Sequence, residues 1–218
     1  MLLIFDCDGV LVDSELLACQ VDAEFLTELG FPYTLDDILR EFVGKSLADA
    51  IRQIEGDHGR PLPPDFSARA NEILFARFET DLQPITSVRD AILSLPHPRC
   101  VASSSTPDRI ALSLRITGLD DLFQSVFSAV EVKRGKPAPD LFLHAAARMN
   151  AHPQECIVIE DSPAGVTGAR AAGMRVIGFT GGGHCREGHA DRLRDAGALD
   201  IIEHMRDLES AVGRVSRL

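Results

Sequence analysis

Residues 1–15 read MLLIFDCDGVLVDSE. Four apolar residues, Leu2 to Phe5, run straight into Asp6, Cys7, Asp8 and Gly9. Successive strand side chains point to opposite faces, so Asp6 and Asp8 share one face and Cys7 points away from them. Two carboxylates held that close repel and raise a pKa unless a cation or a shared proton relieves them. Carboxylate oxygens suit Mg²⁺. The competing reading is a solvated turn, because Asp and Gly are common turn formers. D-x-D-G alone does not separate the two, and the rest of the chain has to.

Further apolar runs follow at Cys100–Ser103, Ser125–Ser128, Cys156–Glu160 and Arg175–Phe179, with the length and composition of buried parallel strands. Helical patterns lie between most of them, including Ala138–Asn150 and Pro163–Ala172, the latter opening on Pro and followed by Gly173. Strands alternating with helices imply βαβ units and a parallel sheet, the α/β class. The first interval breaks this rhythm. Leu17, Val21, Phe25 and Leu29 recur at four-residue spacing and stop at Gly30-Phe31-Pro32. Asp49–Ile54 and Asp65–Phe78 read as further helices. About seventy residues is too long for one βα connection. The expected organisation is a helical cap, residues 13–84, inserted into a core of residues 1–12 and 85–218. A parallel sheet binds ligands at the carboxyl ends of its strands, so the insertion after the first strand is a candidate lid.

Composition narrows the class. The 218 residues are 45% hydrophobic and 25% charged, with a formal net charge of -11. That charge argues against a nucleic-acid partner. It leaves room for an anionic small molecule at a local positive site. The five cysteines are scattered, odd in number and form no C-x-x-C, the pattern of reduced thiols in a cytoplasmic protein. No apolar stretch has the length of a membrane span or the flanks of a signal peptide. A monomer without a membrane partner is expected.

Three later segments carry polar chemistry, each at the end of an expected strand. VASSS (101–105) sets small hydroxyls ahead of a helix opened by Pro107, which suits either a phosphate cradle or an N-cap. KRGKPAPD (133–140) places Lys136 before a Pro-x-Pro, although a lysine is ordinarily solvated. IVIEDSPAG (157–165) ends a very apolar strand in Glu160 and Asp161, where Asp161 could also cap the next helix. The conjunction is informative: acid, hydroxyl, cation and acid all fall at strand carboxyl ends.

DCDGVLVDSE, VASSS, KRGKPAPD and EDSPAG together closely resemble the four motifs of the haloacid dehalogenase superfamily, over residues 1 to about 182. The branch is similar to sugar-phosphate phosphatases and β-phosphoglucomutases, most of all to members of the 6-phosphogluconate phosphatase type. The resemblance implies a Rossmann-like core with strand order 5-4-1-2-3, an inserted helical cap, Mg²⁺ and an aspartyl-phosphate intermediate formed from a small phosphomonoester. Carried onto matching positions, it makes Asp6 the nucleophile and Asp8 the general acid/base. Ser103 and Ser104 hold the phosphoryl group, and Lys136 neutralises charge. Asp6, the main-chain carbonyl of Asp8, Asp161 and its neighbour Glu160 are the metal ligands. FVGKSLADAI (42–51) resembles the cap loop that reaches the substrate, with Gly44, Lys45 and Ser46 as candidate contacts. Ser46 also reads as an N-cap with Asp49 as its partner.

The alternative activity is a phosphosugar mutase. β-Phosphoglucomutases carry a cap histidine that gates the general acid, and the matching position here is Ala18, which favours hydrolysis. Dehalogenases of the family lack the second aspartate. In GGGHCREGH (181–189), His184, Cys185 and His189 give three candidate ligands where a zinc site takes about four. That stretch reads as a flexible loop.

Overall fold

A computed structural model describes residues 1–43 and 47–218, and Gly44, Lys45 and Ser46, the candidate cap contacts, lie outside the described residues. The chain divides into two compact units, one of Met1–Asp13 with Gln83–Leu218 and the other of Ser14–Leu82. Both crossings are tied into the first unit. Val12 forms a bridge with Pro84, and the Asp13 amide donates to the Gln83 carbonyl at 3.0 Å.

In chain order the described elements begin with β1 (Leu2–Phe5). The helices α1 (Ser14–Glu28), α2 (Leu35–Glu41), α3 (Leu47–His58) and α4 (Phe66–Asp81) follow. Then come α5 (Val88–Leu93), β2 (Arg99–Ser103), α6 (Pro107–Ile116), β3 (Val126–Ser128), α7 (Asp140–Arg148), β4 (Cys156–Glu160) and α8 (Pro163–Ala171). The chain closes with β5 (Arg175–Phe179), α9 (His189–Ala196), β6 (Asp200–Ile202) and α10 (Leu208–Val215).

The strands form one sheet in the order β3-β2-β1-β4-β5-β6, every pairing parallel. This is the expected order with a sixth strand added outside β5. β1 is central, with Phe5 level with Val101 on one side and Ile159 on the other. All four of its residues are buried, because helices cover both faces of such a sheet. Leu2 and Ile4 point into a cluster with Ala102, Val158 and Val176, closed by Leu141, Phe142 and Ala145 of α7 and Val166 of α8. Burying each large side chain of this kind contributes about 1.5–3 kcal/mol. The chain leaves β1 toward β2 and β3, then returns to lay β4 on the other side of β1. The carboxyl ends of β1 and β4 therefore meet at the switch point where α/β folds bind ligands.

The helical unit has its own core. Phe25 and Leu26 of α1 pack with Phe31, Ile38, Leu39, Ile54 and Phe66, and the Phe25 and Phe66 rings stack at 5.5 Å between centroids. α1 stops where Gly30 takes φ 81°, a left-handed turn that favours glycine. α2 lies where no helix is expected from apolar spacing. Its start is set by Thr34, whose hydroxyl accepts from the Asp37 amide while the Asp37 carboxylate accepts from the Thr34 amide.

Asp22 of α1 is half-buried, and burial pushes its carboxyl up to about 6 from an ordinary 3.8. The charged form is thus disfavoured in the fold. The cost is absent when both states are protonated, grows as pH rises from 3.8 to 6, and is full above that. Asp22→Asn is expected to stabilise the protein by about 1 kcal/mol at pH 7.5, about 2–4 °C in Tm, and by nothing below about pH 4. Thermal melts of both forms at the two pH values check this, and an equal effect at both would contradict it.

Candidate active site

Asp6 is the first residue after β1 and continues the side of Leu2 and Ile4. It is buried, and its Oδ1 lies 2.9 Å from Lys136 Nζ. Lys136 comes from the loop before α7 and is itself buried, with Nζ 5.3 Å from the centre of the Phe142 ring. Its ammonium also donates to Glu160 Oε1 at 2.6 Å. The other Glu160 oxygen, Oε2, accepts from the Ser162 amide at 2.7 Å and the Ser162 hydroxyl at 2.9 Å. Glu160 is fully buried, and a Cβ on Gly165 would collide with its carboxylate, so α8 can approach β4 only with glycine there. Expected as a metal ligand, Glu160 is first of all the partner that fixes Lys136.

Asp8 lies two residues on, among a different set of groups. Its Oδ2 accepts from the Ser105 hydroxyl at 2.7 Å and the Ser103 hydroxyl at 3.3 Å, and its Oδ1 meets Arg109 Nη2 at 3.0 Å. Ser105 is held in turn by Ser128 at the end of β3, whose hydroxyl donates to the Ser105 carbonyl at 2.6 Å. Ser103 is buried and accepts from the Ser105 amide at 3.0 Å, whereas Ser104 is exposed. The pair of Ser103 and Ser104 is therefore split, and Ser105 and Arg109 join the site. The S-S-S run contained the signal for Ser105. Arg109 sits in the first turn of α6, and spacing alone gives no sign that it turns back to Asp8.

Asp161 is buried beside these groups. A Cβ on Gly9, at φ 78°, would collide with its Oδ2. His184 Nε2 lies 3.0 Å from that same oxygen, and His189 Nε2 donates to the Asp161 carbonyl at 2.6 Å. The stretch expected to be a flexible loop is thus packed, with both imidazoles buried and the Gly183 amide donating to Asp13 Oδ1 at 3.0 Å. The expectation failed because Gly181-Gly182-Gly183 signals a turn but says nothing about what the following side chains meet.

The electrostatics follow from burial. Desolvation pushes the Asp6 carboxyl well up; Lys136 pulls against it, while Glu160, Asp161 and Asp8 push further. Burial also raises Asp161, opposed by the His184 hydrogen bond and reinforced by Glu160. Burial alone would lower Lys136, yet Asp6 and Glu160 hold it above its ordinary value. Burial would likewise lower His184, but its bond to Asp161 holds it up at about 11. Burial raises the Cys185 thiol, and the two imidazoles outweigh that and bring it below its ordinary value.

Among the described residues, Asp6, Glu160 and Asp161 offer oxygen ligands within 4.8 Å of one another. Asp6 Oδ1 is buried there against the Lys136 ammonium, at 2.9 Å. A buried set of ligands that are all carboxylate oxygens fits a hard divalent cation such as Mg²⁺.

Residues 3–179 match the family model of haloacid dehalogenase-like hydrolases. The chain is 31% identical to a phosphorylated carbohydrates phosphatase of Thermotoga maritima, over 92% of this chain and 93% of that one. It is 30% identical to the 6-phosphogluconate phosphatase of Escherichia coli, over 83% of this chain and 82% of that one. A conserved haloacid dehalogenase-like protein of unknown function from Agrobacterium tumefaciens has the same fold, with a TM-score of 0.92 and 42% identity, covering 98% of this chain and 97% of that one. The chain belongs to the haloacid dehalogenase-like hydrolases. Within that family it is a phosphoric monoester hydrolase.

Proposed function

We propose that the protein is a Mg²⁺-dependent phosphatase of small phosphorylated metabolites, sugar or sugar-acid phosphates, working through an aspartyl phosphate on Asp6. The observation that carries this is the division of labour between the two acids after β1. Asp6 is buried against Lys136 and the acidic cluster, while Asp8 faces the hydroxyls of Ser103 and Ser105 and the guanidinium of Arg109. The similarity to phosphatases of 6-phosphogluconate and of phosphorylated carbohydrates supports the substrate class.

Asp6, Asp161, Glu160 and the Asp8 carbonyl are the residues that would hold Mg²⁺. When bound, the ion offsets the charge of the phosphoryl oxygens. Lys136 adds to that, and its own position is set by Glu160. Ser103 holds the phosphoryl group, with the exposed Ser104 beside it. The Asp6 carboxylate attacks phosphorus as Asp8 gives a proton to the leaving oxygen, so the alcohol departs neutral. Asp8 then takes a proton from water, and the hydroxide equivalent releases inorganic phosphate and restores Asp6. Phosphoryl transfer asks mostly for positioning and charge stabilisation, which these groups supply. The helical unit, with Gly44, Lys45 and Ser46, is the substrate-selecting cap of this reading. No helix among the described residues is long and apolar enough to cross a membrane. All five cysteines are free, which supports the cytoplasm as the compartment.

The alternative, a mutase, differs in the fate of the phosphoryl group. Ala18 offers no donor to gate Asp8, so hydrolysis is expected. Incubation with hexose phosphates, sugar-acid phosphates and nucleotides, with and without Mg²⁺, should release inorganic phosphate in step with substrate loss, from the first two classes and only with the ion. Isomer forming much faster than phosphate would replace the reading with the mutase.

A further inference from the structure

The loop after β5 brings together ligands of a different kind from the acid cluster. His184, Cys185 and His189 present ligand atoms within 4.8 Å of one another. Two are buried imidazoles and the third is a half-buried thiol. We propose that these three side chains form a second cation site, for a borderline transition ion of the Zn²⁺ type, and that its occupancy reaches the catalytic centre through Asp161.

The donors are nitrogen, sulfur and nitrogen, which select transition ions over Mg²⁺, whereas the neighbouring set is oxygen alone. The spacing fits as well. A thiolate at about 2.3 Å and an imidazole at about 2.05 Å from one tetrahedral ion lie about 3.5 Å apart. Cys185 Sγ and His184 Nε2 are 3.5 Å apart. His189 has the outer support of a ligating histidine. Its Nε2–H is fixed on the Asp161 carbonyl at 2.6 Å, which leaves the lone pair on Nδ1. That lone pair faces Arg192 Nη2 at 3.0 Å, and Arg192 is exposed, so the guanidinium can turn out to solvent as an ion enters. His184 is held through Nε2, while its Nδ1 is buried with no hydrogen-bond partner among the described residues. Three protein ligands leave the fourth position of a tetrahedral ion open.

The link to catalysis is one atom. His184 Nε2, the nitrogen nearest Cys185, is also the one 3.0 Å from Asp161 Oδ2. An ion on that nitrogen replaces the proton now shared with the carboxylate and presents a cation to Asp161 from this side. Asp161 is then drawn between two ions, and turnover falls. This coupling rests on the reading of Asp161 as a Mg²⁺ ligand; the existence of the site does not.

The test uses Co²⁺ as the probe on the full-length, reduced, EDTA-treated protein. A thiolate-to-cobalt charge-transfer band in the near ultraviolet should appear, saturate at one ion per chain and vanish in Cys185→Ser. His189→Ala should weaken Co²⁺ binding by about tenfold or more. A wild-type protein without the band, or an equal band in Cys185→Ser, overturns the site. A second measurement does not depend on a variant. Zn²⁺ should slow alkylation of Cys185, followed by peptide mass spectrometry, and labelling at the same rate with and without Zn²⁺ also overturns it. For the coupling, the Zn²⁺ concentration that halves Mg²⁺-dependent phosphate release should rise by about tenfold in Cys185→Ser. Equal inhibition of both forms overturns the coupling. The cobalt spectrum needs no turnover, so failure of the phosphatase reading is seen separately.

Discussion

Asp6→Asn should abolish phosphate release, by about 10⁴-fold or more, while leaving the protein folded. The amide has the shape of the carboxylate but lacks the charge and nucleophilicity that the attack on phosphorus requires. The environment of Asp6 makes the stability side of the expectation specific. Burial and the carboxylates of Glu160, Asp161 and Asp8 all push its pKa up, so the charged form is disfavoured where it stands. Replacing it with a neutral side chain relieves that repulsion. Lys136 loses one partner but keeps Glu160 at 2.6 Å. The melting temperature should therefore stay level or rise at pH 7.5 without added metal, and Mg²⁺ should raise it less than in the wild type, because one ligand has lost its charge. Phosphate release and thermal melts on mass-verified amide protein decide the matter. Turnover near the wild-type rate would remove Asp6 from the mechanism, and a large fall in melting temperature would show that its charge is structural.

Much of this arrangement was legible in the sequence, for identifiable reasons. β1, β4 and β5 are apolar runs buried on both faces, and their bounds follow hydropathy. α1 shows because Leu17, Val21 and Phe25 recur at helical spacing on a buried side. β6 was not legible. Three residues, Asp200-Ile201-Ile202, carry no periodicity, and only pairing with β5 makes them a strand. α2 was missed because its signal is a cap, Thr34 with Asp37, and not an apolar stripe.

The same split runs through the site. Strand ends gather Asp6, Asp8, Ser103 and Asp161, and a motif can be read at a strand end. Lys136 was legible only as a motif residue. That it is buried between Asp6 and Glu160 depends on where the loop before α7 lies over the sheet. Ser105, Arg109 and His184 reach the acids from a loop, a helix and another loop, at sequence separations of 97, 101 and 23 residues respectively, the last counted from Asp161 to His184. Local pattern cannot register contacts of that kind.

Lys136→Met is the second large effect, and it falls on stability as well as rate. The methionine keeps most of the stem and its packing on Phe142 but removes the ammonium. Glu160, fully buried, then has only the Ser162 amide and hydroxyl, and Asp6 has lost its nearest cation. Breaking a buried ion pair on one side costs about 3–5 kcal/mol, which in a chain of this size is about 10 °C of melting temperature. The sign of the pH dependence is fixed. Burial already holds the Asp6 carboxyl above its unfolded pKa and Lys136 pulls against that, so without Lys136 the cost is full above the folded value of Asp6 and shrinks as pH falls and the group protonates. The deficit relative to wild type, measured in EDTA, should be large at pH 8 and clearly smaller at pH 5.5. Turnover should fall by about 10²–10³-fold or more, the loss expected when one charge-stabilising donor is removed. A deficit of the same size at both pH values would mean that Lys136 acts through packing and not through its charge. No deficit at all would mean that the acids find another cation, and the assignment of Glu160 as the group that fixes Lys136 would fall with it.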